Sequence, residues 1–131
     1  METTLSDFFR AYERKPWRPG QVDCCLFMAS WAVWLGYPDP ARAWRGTYDS
    51  EDGFRAIIQK AGGVVPLIEE CALSINAKRV AKPIAGDAAV IGSATNIDRQ
   101  FGAIFDGARW NVRFVDKIGP MAATPLAIWR I

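Results

Sequence analysis

Residues 21–36 read QVDCCLFMASWAVWLG, and this stretch decides what the rest of the chain packs around. Asp23 carries the short carboxylate that caps a helix by accepting a backbone N–H two or three residues ahead. Leu26, Phe27, Ser30, Trp31, Val33, Trp34 and Leu35 then surround a helix on most of its faces, which predicts the most buried helix of the molecule. Gly36, with Pro38 beyond it, ends that helix. Cys24 falls in the first turn, where unpaired N–H groups and the helix dipole favour a thiolate, so it is a candidate nucleophile. Histidine, the base that most cysteine enzymes use, is absent from the chain.

The apolar run 24–37 is shorter than the roughly 20 residues needed to cross a bilayer and suits a core helix. METTLSDFFR at the start has acidic residues and no apolar segment after a basic one, unlike a secretory signal. Three cysteines, two of them vicinal, make no disulfide framework, and a reducing compartment is expected. Sixteen Lys and Arg against fourteen Asp and Glu give a net charge of +2, scattered rather than clustered, so charge implies neither a nucleic-acid nor a membrane partner. With 131 residues, half of them hydrophobic, one core and no disorder are expected.

Working outward, Leu5, Phe8, Phe9 and Tyr12 recur at helical spacing, and Pro16 requires that this first helix has ended. Downstream, Asp39-Pro40 opens a short helix through Trp44 that closes at Gly46. Asp49 or Ser50 caps another, with Phe54, Ile57 and Ile58 inward and Gly62-Gly63 as its stop. A further short helix runs from Pro66 to about Leu73. From Gly86 the period changes to two: DAAVI, FGAIF, RWNVRFV and LAIWRI read as strands. Asp106-Gly107 predicts a two-residue hairpin turn, with Trp110, Val112 and Phe114 on one face and Arg109, Asn111 and Arg113 on the other. Helices followed by an antiparallel sheet make the fold class α+β.

The order Trp-x-x-Gly, Asp-Cys at a helix start, Gly-Asp at a strand start and a hairpin of the form FGAIFDG resembles the NlpC-type cell-wall peptidases. The resemblance rests on PWRPGQVDCCLF, PIAGDAAVI, FGAIFDGARW and the central helix. It implies a papain-like fold over 1–131 as a single domain, N-terminal helices packed on a C-terminal antiparallel sheet. W-x-x-G-x-x-D-C, RGTY at 45–48 and the terminal Trp129-Arg130 pair look closer still to a branch of that superfamily in phages and prophages. That likeness implies a tail-assembly component, made in the bacterial cytoplasm and incorporated in a phage-like particle, with phage tail proteins or a cell-wall peptide as partners.

By the same resemblance Cys24 matches the nucleophile, Asp23 the acidic residue before it, and Cys25 the position usually held by Ser. Phe101 falls where the peptidases have their histidine base. The orienting group matches Asn111 or Arg113. The implied function is an impaired or non-catalytic relative, a pseudoenzyme with a peptide-binding groove. The alternative is an active thiol hydrolase or acyltransferase on wall peptides or thioesters, its base unusual or supplied by a partner.

Each candidate also has a plain packing role. Cys24, Cys25 and Cys71 suit a core, Asp23 is first an N-cap, and Arg45-Gly46 complements and closes a helix end. Arg45 and Tyr48 are candidates for the groove beside Cys24, as is Trp17, which precedes the helix in a loop. No cofactor is implied, and three thiols without histidine fall short of a zinc site, so no metal is expected.

Overall fold

A computed structural model describes residues 2–93 and 99–131, with side chains from Thr4 onward. Four helices come first: α1 (Glu2–Glu13), α2 (Cys24–Trp34), α3 (Glu51–Ala61) and α4 (Val64–Ser74). Six strands follow: β1 (Lys78–Val80), β2 (Ala88–Ser93), β3 (Gln100–Phe105), β4 (Trp110–Arg113), β5 (Ile118–Pro120) and β6 (Ala123–Arg130). They form one antiparallel sheet in the order β1-β6-β2-β3-β4-β5, so the fold is α+β.

The period-two pattern divides the core between the two sheet faces. Ala88, Val90, Ala127 and Trp129 pack with α2 and α4, while Leu5, Phe8 and Tyr12 of α1 close on Phe27, Trp31 and Ile104. Ala89, Ile91, Ala103, Trp110, Val112 and Ile128 form a second apolar layer on the opposite face. The central helix is as buried as its sequence demands through Ala32. Its last turn departs from expectation: Val33 and Trp34 are each 45% exposed, because α1 closes on the face carrying Phe27 and Trp31 and meets Trp34 with the Phe8 ring at 5.6 Å. No helix among the described residues is long and apolar enough to cross a membrane.

Three local expectations are corrected. Residues 40–46 form successive turns rather than a helix: Trp44 and Arg45 N–H both turn onto the Ala41 carbonyl, and the Gly46 N–H is given to the Gly20 carbonyl at 2.8 Å instead of continuing to Arg42. The hairpin after β3 is shifted by one residue. Asp106 N–H donates to the Arg109 carbonyl at 3.0 Å, and the Asp106 carboxylate accepts from Ala108 and Arg109 N–H at 2.8 and 2.7 Å. The turn therefore centres on Gly107-Ala108, with Gly107 at φ +105°. Strands β1 and β5 were not foreseen; each has three residues.

Long-range polar contacts clamp the helices to the sheet. Trp31 Nε1–H donates to the Gly86 carbonyl at 2.9 Å, tying α2 to the entry of β2. Trp129 Nε1–H donates to Glu69 of α4 at 2.5 Å, and the Arg130 guanidinium forks onto the buried Asp87 at 2.9 and 2.8 Å. The terminal aromatic-basic pair and the Gly-Asp strand entry are thus two halves of one clamp. Trp31→Phe loses the indole N–H that serves the Gly86 carbonyl and leaves part of a fully buried ring's volume empty, and is expected to cost about 2–3 kcal/mol in urea denaturation.

Candidate functional site

The loop ahead of α2 is built to fix Asp23. Arg18 and Val22 exchange backbone hydrogen bonds of 2.9 and 2.7 Å, closing a tight turn in which Gly20 sits at φ +87°. A Cβ at Gly20 would lie 1.9 Å from the Tyr48 carbonyl oxygen, so a side chain has no room. One oxygen of Asp23 accepts the Leu26 N–H at 2.9 Å, which is the N-cap bond. The other accepts the Gly20 N–H at 3.1 Å and the hydroxyl of Tyr48. Burial and the Asp23 charge push the Tyr48 phenol far above its ordinary value, so it stays a donor. Asp23 is engaged by three donors and buried, which makes it a positioning group rather than a base.

Cys24 is partly exposed at the floor of a cleft of about 480 Å³. Its thiol is shifted below the ordinary value, first by a hydrogen bond from the Cys25 thiol and then by the backbone of Gly102, against the opposing effects of burial and the Asp23 charge. Cys25 moves well upward because it donates to Cys24 and is buried. Burial likewise raises Cys71, whose sulfur accepts from Trp44 Nε1–H at 3.3 Å. Cys24 is therefore the thiol that ionises first. Gly102 of β3 lets the sheet approach this point: a Cβ there would lie 2.5 Å from the Cys24 carbonyl oxygen and 2.6 Å from the Met28 methyl group.

The family model described as "Domain of unknown function (DUF6950)" matches residues 1–131. The chain belongs to this family. No curated protein and no solved structure matches it.

In this DUF6950 chain the residues singled out by sequence separate into those that share the cleft and those that do not. Trp17, Phe101 and Arg113 line it with Cys24. The Arg99 guanidinium lies 5.9 Å from the centre of the Phe101 ring, and the Arg113 guanidinium 5.8 Å from that of Trp17. Of the two alternatives for an orienting residue, Arg113 reaches the cleft. Asn111 instead donates to the Asp106 carboxylate at 2.9 Å and the Arg109 carbonyl at 3.2 Å, as part of the hairpin.

Tyr48 lies beneath the site, stacked on Phe54, with its hydroxyl on Asp23. Arg45 does not reach the cleft. It forks onto Asp39 at 2.6 and 3.2 Å and lines a separate depression with Tyr12 and Ser30, so an ion pair replaces the expected groove contact. RGTY serves the site indirectly, since Gly46 and Tyr48 lace this loop to Gly20 and Asp23.

Sequence reasoning missed Arg99, Glu51 and Gly102. A glycine inside a strand pattern marks a close backbone approach, and FGAIF carried that signal. Glu51, exposed at the first turn of α3, is the cleft's only carboxylate among the described residues. Cys25 also borders an apolar void of about 40 Å³ with Trp44 and Cys71, an interior packing position. Among the described residues no cluster of His, Cys, Asp or Glu could hold a metal.

Proposed function

We propose that this DUF6950 chain is an impaired or non-catalytic relative of the NlpC-type cysteine hydrolases, of papain-like fold, that binds a peptide over Cys24. One observation carries the reading: Cys24 is set up to ionise, yet Phe101 and Arg113 beside it cannot accept a proton, and the carboxylate on the cleft lining among the described residues, Glu51, lies exposed at the start of α3 rather than on the thiol. The helix-borne cysteine against an antiparallel sheet is in keeping with that ancestry. A role in assembling a phage-like particle rests on the W-x-x-G-x-x-D-C and RGTY likeness alone.

Amide cleavage needs a proton for the departing amine, and losing that acid costs roughly 10²–10⁴ in rate. Alkylation with iodoacetamide between pH 5 and 9 tests the thiol directly. Half-maximal labelling of Cys24 is expected below the free-thiol value of about 8.5. Wall-peptide amides are expected to stay intact, and Cys24→Ala to keep peptide binding. Cys24-dependent cleavage of those amides would overturn the proposal.

The lowered thiol also favours a second reading, acyl transfer from thioesters, whose thiolate leaving group needs less protonation than an amine. Its signature is thiol release from a thioester that Cys24→Ala abolishes.

A further inference from the structure

The side chain that fits no structural account is Arg113. It is 2% exposed, and among the described residues no carboxylate pairs with it. Its terminal nitrogens donate to the carbonyls of Lys15, at 2.6 Å, and Phe114, while its buried Nε has no partner. Carbonyl dipoles hold a guanidinium in place without cancelling its charge, and an uncompensated buried cation is costly unless something anionic meets it. It lines the same cleft as Cys24.

Among the described residues, the other charges around that cleft have the same sign in excess. Arg99 lies over the Phe101 ring and is exposed; Arg55 is also on the lining but is paired with Asp52 at 3.0 Å. Glu51 opposes them from the α3 side. The walls between are apolar and aromatic, Trp17, Phe54, Phe101 and Phe114 among them. A cation at the floor, another at the rim and aromatic walls suit a planar carboxylate carried on an otherwise apolar chain, because guanidinium pairs with carboxylate in a fork and aromatic rings cover the flanking backbone.

We propose that the cleft over Cys24 is an anion-selecting site that takes an acidic peptide, with its carboxylate toward Arg113 and Arg99. This names the class of peptide for the binding role inferred above and rests on that role. Failure of the two is separable, because the test below reads the charge of the cleft and not its ability to cut amides.

The probe is the thiol already in the site. Cys24 is alkylated in the folded chain with iodoacetate, an anion, and with iodoacetamide, its neutral counterpart, and the ratio of the two rates is compared with that of N-acetylcysteinamide. Taking the ratio cancels thiol ionisation and burial. The ratio is expected to exceed the reference by about tenfold at low salt and to shrink as salt is added. Arg113→Gln and Arg99→Gln should each lower it severalfold, the latter at an exposed position that leaves the fold intact, and the double variant should return it to the reference.

A second arm uses N-acetyl-Ala-Glu amide, which should slow iodoacetamide labelling of Cys24 more than N-acetyl-Ala-Gln amide or inorganic phosphate does. A wild-type ratio equal to the reference, or one unmoved by Arg99→Gln, overturns the proposal. Equal protection by the glutamine peptide or by phosphate overturns the acidic-peptide assignment.

Discussion

Asp23→Ala is expected to lower the free energy of unfolding by about 3–5 kcal/mol, because three donors lose their acceptor at once. The Leu26 N–H loses its cap, and the Gly20 N–H and the buried Tyr48 hydroxyl are left without the carboxylate. Tyr48 is 7% exposed and stacked on Phe54, so water does not readily replace what is removed. Asp23→Asn separates the parts. Its amide oxygen can still cap Leu26, but its NH2 group would then face the Gly20 N–H, donor against donor. An intermediate loss, of about 1–3 kcal/mol, is expected.

Urea denaturation of both variants gives these values, and Tyr48→Phe supplies the third corner. An Asp23→Ala loss no larger than an ordinary cap deletion, about 1 kcal/mol, would mean that the Gly20–Asp23–Tyr48 lacing contributes nothing. Since the Asp23 charge is one of the influences that hold the Cys24 thiol up, the alanine variant should also move the pH midpoint of Cys24 alkylation downward.

The features legible in sequence are those that depend on neighbours in the chain. Asp23, the apolar run behind it and Gly36 specify α2 within a single segment, and Ser50 with Gly62 brackets α3 in the same way. The alternation of Trp110, Val112 and Phe114 against Asn111 and Arg113 follows from the pleat alone, and the first three do meet in one apolar cluster. What was missed depends on distant partners. Lys78–Val80 and Ile118–Pro120 show no alternation of their own and are strands because β6 and β4 offer them an edge.

The hairpin slipped by one residue because the Asp106 side chain takes the two N–H groups that a backbone carbonyl would otherwise serve. Sequence puts Arg45 in the groove because nothing local tells that Asp39, six residues earlier, turns back to meet it. The same limit applies to the site. Cys24 and Asp23 announce themselves at a helix start, whereas the Asp23–Tyr48 bond spans 25 residues and the Arg113–Lys15 bond spans 98. Periodicity gives the side of the sheet on which Arg113 lies, but not that it is left there without an acid.

Gly102→Ala should couple the fold to the thiol more directly than any change at the sulfur itself. The added methyl has two obstacles, the flexible end of Met28 at 2.6 Å and the Cys24 carbonyl at 2.5 Å. Met28 can turn aside, but the carbonyl belongs to the first residue of α2 and moves only with the helix. The end of the helix must therefore lift from β3, which is expected to cost about 2–4 kcal/mol as an overpacked contact.

Lifting the helix also withdraws the Gly102 backbone from the sulfur and so removes one of the influences that lower its pKa. Removing a stabiliser of the charged form raises the pKa, and the iodoacetamide midpoint of Cys24 should move upward in the folded variant. Stability and midpoint should shift together in Gly102→Ala, whereas in Trp31→Phe, which loosens α2 at the Gly86 end, only stability should fall. A Gly102→Ala protein destabilised as expected, yet labelled with the wild-type midpoint, would show that the approach of β3 serves packing alone and that the thiol is governed within α2.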